Sequence, residues 1–133
     1  MKYPTPEHLA ELLDENPVKA RLCTATHKER LLGMGDAMEV LSGKWKLPLL
    51  ATLLFGGPQR FSDLLREADG IGAKMLSKEL QDLEAHQLVS RKVLQTKPIT
   101  VEYEITPYGR SLENLVVEII AWGLDHRHTI MRD

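Results

Sequence analysis

The sequence predicts a mainly α-helical chain with one small β-hairpin, an α+β fold. Three observations predict it. Apolar residues recur at i, i+3, i+4 spacing through most of the chain. Between Leu88 and Ile105 that period drops to two. Beyond Thr106 a helical period resumes and runs almost to the last residue.

Thr5-Pro6-Glu7 reads as a helix start, with Thr5 as cap, Pro6 in the first helical position and Glu7 near the positive helix end. Leu9, Leu12 and Leu13 follow on one face, and Asn16-Pro17 ends the run. A helix this short does not hold itself in water, so it either docks on something or frays; Leu9, Leu12 and Leu13 are read as part of a dimer interface. Thr26 and Glu29 have capping-box spacing ahead of Leu31 and Leu32. Gly33 and Gly35 are expected to interrupt that segment. Ala37, Met38, Val40 and Leu41 would then form another short helix, stopped by Ser42-Gly43. Residues 44–57, KWKLPLLATLLFGG, are apolar nearly all round, as in a helix buried on most sides. Trp45 and Pro48 fall in its first turn, where a missing N–H costs least.

Residues 59–87, QRFSDLLREADGIGAKMLSKELQDLEAHQ, read as two helices joined by a tight turn. Phe61, Leu64 and Leu65 mark the inner face of the first helix. Leu76, Leu80 and Leu83 mark that of the second. Gly70 and Gly72 are expected to supply positive φ at the corner, with Ile71 plugging the gap. The outer face of the second helix carries Lys74, Ser77, Lys78 and Gln81 and no large apolar residue. Such side chains contact phosphates and base edges in a DNA major groove. A solvated helical hairpin would show the same face. The following residues separate the two readings: 88–94 and 100–105 form a hairpin around Thr96-Lys97-Pro98, with Arg91, Lys92 and Lys97 toward its tip. A helix-turn-helix followed by a hairpin is the layout of a winged helix, with the wing on the phosphate backbone. Arg60, just before the motif, is an added phosphate candidate. Trp45, Phe61, Leu76, Leu80, Leu83 and Tyr103 are read as core.

Thr106-Pro107 repeats the cap-then-proline start, and a helix is expected over about 107–128. Leu112, Leu115, Val116, Ile119 and Trp122 share one side of it. Val117, Ile120, Ala121 and Leu124 extend the apolar surface past that side. One domain can cover the first stripe; the second needs a partner, most simply a second copy of the chain. The expected division is an N-terminal extension over 1–30 and a winged-helix domain over 31–133.

Composition bounds the function. A chain of 133 residues, 43% hydrophobic and 27% charged, is that of one ordinary globular domain. No apolar run reaches the length of a membrane span, and residues 1–8, MKYPTPEH, lack a signal-peptide core. The single cysteine, Cys23, excludes a disulfide framework and fits a reducing cytoplasm. Net charge is −2, so any basic footprint must be local. Between Gln59 and Lys97 seven cations stand against six anions, with Glu79 and Asp82 toward the flank of the reading helix and Glu84 at its far end. No nucleophile elbow, phosphate loop or paired carboxylates argue for an enzyme, and no cofactor is expected. His126 and His128 are two residues apart on a helix, point in different directions, and are read as no metal site. An interaction module without DNA affinity, or a sensor of a small-molecule effector, is the competing class.

The residues also resemble a family. Gly43-Lys44-Trp45, Arg60-Phe61, Met75-Leu76, Leu80, Leu83, Val101-Glu102-Tyr103, Thr106 and Gly109-Arg110, in that order, resemble the HxlR-type bacterial transcriptional regulators. The resemblance covers roughly 34–125. It implies a homodimer joined through its terminal helices and bound to palindromic operator DNA. Two departures stand out. The place of a cysteine-proline pair, used by some members for thiol sensing, is held by Leu32-Gly33, so that role is not carried over to Cys23. Gly72 stands where a small hydroxyl residue often opens the reading helix.

Overall fold

The computed structural model describes residues 20–132. The expected first helix, with Leu9, Leu12 and Leu13, lies outside them. The chain forms two compact units that divide between Val40 and Leu41.

In the first unit a 3-10 turn, Arg21–Cys23, precedes helix α1, His27–Leu41, whose last residue belongs to the second unit. Thr26 caps α1. Its Oγ1 accepts the Glu29 N–H at 3.1 Å and donates to Glu29 Oε1 at 3.1 Å. Arg30 Nη2 donates to the Leu22 carbonyl at 2.7 Å and ties the 3-10 turn to the helix. The expected break at Gly33 and Gly35 is corrected: α1 runs through both. A helix-interior glycine weakens a helix by about 1 kcal/mol without breaking its hydrogen-bond ladder, and here a cap and fifteen residues offset that cost.

The second unit is built on helix α2, Lys46–Gly56. Leu49, Leu50 and Leu53 are at most 1% exposed and form the centre of the core. Strand β1, Gln59–Arg60, leads directly into α3, Phe61–Glu67. Helix α4, Ala73–Ala85, presents Leu76, Leu80 and Leu83 to the same core, all fully buried. Burying such a leucine contributes about 1.5–3 kcal/mol, so the period-3.6 stripe fixes the orientation of α4. At the corner between α3 and α4, Ile71 is buried as expected, and Gly70 takes φ 90°. Gly72 does not: at φ −86° it is the extended N-cap of α4, so one glycine makes the turn.

Strands β2, Val89–Leu94, and β3, Thr100–Ile105, form the hairpin. The sheet has three strands, ordered β1-β3-β2 and antiparallel throughout. β1 was not expected; two residues carry no periodicity to read. Gln59 pairs with Tyr103 and Arg60 with Glu102. The strands reach Leu94 and Thr100, so the wing tip is residues 95–99. Of the three wing cations only Lys97 sits there.

The start of the terminal helix is also corrected. Thr106 Oγ1 accepts the Gly109 N–H at 2.8 Å and donates toward the Gln87 and Leu88 carbonyls at 2.6 and 3.1 Å. A 3-10 turn, Gly109–Leu112, follows, and helix α5 runs over Glu113–Ile130. The tight turn arises because Gly109 packs against the Leu88 carbonyl, leaving no room for a side chain. Among the described residues of α5 only Val116 is buried. Leu115, Val117, Ile119, Ile120, Trp122 and Leu124 are all exposed by 41% or more. The expectation that the domain covers one apolar stripe holds only in part: Val116 is buried and Leu112 half-buried, while Leu115, Ile119 and Trp122 of the same stripe are exposed.

Candidate nucleic-acid interface

A groove of about 670 Å³ lies between α4 and the wing. Ser77 and Gln81, one turn apart on α4, form one wall. Arg91 and Tyr103, cross-strand neighbours, form the other. Arg60 and Phe61, at the junction of β1 and α3, close one end. Four residues expected from sequence at the DNA surface, Arg60, Ser77, Gln81 and Arg91, thus meet in one groove. Phe61 lines it rather than filling the core. Trp45 is likewise only half-buried, with the Lys44 ammonium 4.9 Å above its ring.

Lys74 and Lys78 flank a shallower hollow on the outer face of α4, shared with Ser77 and Gln81. Lys92 does not join the groove. Strand alternation turns it away from Arg91, and it stands opposite Glu102. Among the described residues Arg60, Lys74, Arg91, Lys92 and Lys97 enter no ion pair, so their charge is available to an anionic partner.

Lys78 differs. Its Nζ lies 3.3 Å from Asp82 and 3.8 Å from Glu79. Glu79 does not sit on the flank of the surface: it is buried, and accepts a 2.8 Å hydrogen bond from the buried Lys46. Lys46 also lies 3.4 Å from Asp82. The Glu79 hydrogen bond, opposed by burial and helped by both carboxylate charges, raises the Lys46 pKa above its ordinary value. Burial alone would raise that of Asp82; hydrogen bonds and charge from Lys78 and Lys46 outweigh it and hold the carboxyl below its ordinary value. Sequence reasoning missed this cluster because Lys46 and Glu79 are 33 residues apart. It also placed Glu84 away from the site. Glu84 lines the groove, a position its i+3 and i+7 spacing from Gln81 and Ser77 could have signalled.

On α5 the Trp122 and His126 rings stack at 5.0 Å. An apolar dent of about 180 Å³ between α2 and α5 is lined by Leu47, Pro48, Ala51, Val116, Ile119 and Ile120. Ligand pockets usually run to about 300–1,000 Å³, so this dent is smaller than an ordinary ligand pocket. No described helix is long and apolar enough to cross a membrane.

The arrangement has known counterparts. YtcD of Bacillus subtilis strain 168, an uncharacterized HTH-type transcriptional regulator, is 41% identical over 106 residues, covering 80% of this chain and 83% of YtcD. The crystal structure of YtcD superposes with a TM-score of 0.68 at 40% identity, over 71% of this chain and 96% of that one. The redox regulator HypR in its reduced form superposes with a TM-score of 0.69 at 33% identity, over 76% of this chain and 99% of its own. A family profile described as HxlR-like helix-turn-helix matches residues 40–131, which include the groove, the wing and α5. With that match and these relatives, the chain belongs to the HxlR-like helix-turn-helix family.

Proposed function

We propose that this protein is a cytoplasmic, homodimeric transcription regulator that binds double-stranded operator DNA. One observation carries the reading: base-reading and phosphate-binding side chains converge on one groove. Ser77 and Gln81 project from the helix that would enter the major groove, and Arg60 and Arg91 line the same groove. Glutamine is suited to adenine edges and serine to several bases, while arginines and lysines neutralise phosphates. Lys74, Lys78, Lys92 and Lys97 extend the basic surface. The relatives' description as transcriptional regulators supports the same conclusion.

The homodimer rests on α5. Val117, Ile120 and Leu124 are exposed on an eighteen-residue helix, beside Ala121. A self-complementary contact along such a helix is the simplest way to bury them, and it would present two reading helices to a palindromic site.

The test is binding of the purified protein to the DNA upstream of its own gene, across a salt series, with unrelated DNA as competitor. Competitor-resistant binding with a steep salt slope is the expected result. Equal, weak binding to both DNAs would overturn the reading.

A further inference from the structure

We propose that Lys46 is a positioning residue for DNA binding: it holds Glu79 and Asp82 so that Lys78 can leave them for a phosphate. The inference rests on the DNA-binding reading above and assigns a role to a residue outside the groove. Four charges form a closed cluster, with Lys46 and Lys78 against Glu79 and Asp82. Their settings differ. The Lys46 and Glu79 side chains are 9% and 8% exposed, whereas Asp82 is 40% and Lys78 65% exposed. The inner pair is fixed, and Lys78 at the rim can swing outward.

Lys46 occupies the first residue of α2, where the positive end of the helix disfavours a cation. The two carboxylates of α4 offset that cost. The same contacts serve the reading helix. A phosphate approaching Lys78 must take it from Asp82. With Lys46 in place, Asp82 keeps a cation 3.4 Å away and Glu79 one at 2.8 Å. Without Lys46, releasing Lys78 would leave two unpaired carboxylates on the helix facing the DNA backbone. Lys78 would then stay home, and one phosphate contact would be lost.

The experiment uses the full chain and two duplexes of equal length, the DNA upstream of its own gene and an unrelated sequence. Salt slopes are compared for wild type, Lys78→Ala, the charge-neutral double variant Lys46→Met/Glu79→Gln, and Asp82→Asn in both backgrounds. The double variant removes the buried pair together, so that neither charge is left unpaired; circular dichroism and melting check the fold before binding is measured. In wild type, Lys78→Ala should reduce the slope by about 0.9, one phosphate contact. The double variant leaves Asp82 with Lys78 as its one remaining cation in the cluster, so it should show the same reduction, and adding Lys78→Ala to it should change nothing more. Asp82→Asn should restore the slope in the double variant and leave it unchanged in wild type. A purely structural role for Lys46 would not produce that background dependence. If Lys78→Ala lowers the wild-type slope but the double variant binds as wild type does, the role of Lys46 is overturned and the DNA reading stands. If wild type itself shows no salt-dependent binding to either duplex, both fall.

Discussion

Gly109 shows how far a single atom governs this fold. It packs against the Leu88 carbonyl, so a Cβ there would force the 3-10 turn away from the wing. The same turn is held by the Thr106 hydroxyl, which bridges the residues after α4 to the residues before α5. Gly109→Ala is expected to destabilise the protein by about 1–3 kcal/mol, the usual cost of overpacking, read as a lowered melting temperature. At the groove, Gln81 and Lys78 should behave differently. Gln81→Ala is expected to relax base preference, costing about 1–3 kcal/mol on the best site and little on unrelated DNA. Competition binding against single-base variants of that site would measure it, and Lys78→Ala should instead weaken all duplexes alike.

Helix α1 and the Lys46 cluster carry predictions at the scale of elements. Gly33 and Gly35 are exposed within α1, and a Cβ at either would meet nothing within 4 Å. Gly33→Ala and Gly35→Ala should therefore each stabilise α1 by up to about 1 kcal/mol, seen as a higher melting temperature. The Lys46–Glu79 pair joins α2 to α4, and removing Lys46 alone leaves the buried Glu79 with only the longer 3.8 Å contact to Lys78, at a cost of up to about 3–5 kcal/mol. Its pH dependence follows from the raised Lys46 pKa. The stabilisation is complete below the pKa of the unfolded lysine and is lost as pH rises through the folded value, in the alkaline range above about pH 10. The lowered Asp82 pKa acts at the other end: its contribution is present above the unfolded carboxyl pKa and fades as pH falls through the folded value. Equilibrium unfolding at alkaline pH, compared between wild type and Lys46→Met/Glu79→Gln, should show a steeper loss in wild type. Elements with strong periodicity were legible in the sequence. Leu76, Leu80 and Leu83 announced α4 and its buried face, and alternation announced β2 and β3. What escaped lacked a local pattern. β1 is two residues long, α1 hides behind two glycines, and a charge pair across 33 residues leaves no spacing to read. Ser77, Gln81, Arg60 and Arg91 were nameable one at a time, but only the fold puts Arg91 in the groove and turns Lys92 away.

At the scale of the whole molecule the exposed face of α5 dominates. Its exposed residues, from Leu115 to Leu124, make an apolar surface that the described residues of one copy leave uncovered. Introducing a charge there, as in Ile120→Asp, is expected to yield monomers by sedimentation and to weaken operator binding sharply, because two half-sites would no longer be engaged together. In the proposed homodimer, leaving so much greasy surface bare until a second copy arrives would also make assembly part of folding. Mass action then enters the thermodynamics: the melting temperature should climb with protein concentration, and a dilution series followed by calorimetry would reveal it. A cell that makes little of this protein would hold it mostly as weakly stable single subunits, prey to proteases. One that makes more would hold paired, durable molecules. Abundance itself would thus set a threshold below which the operator stays empty.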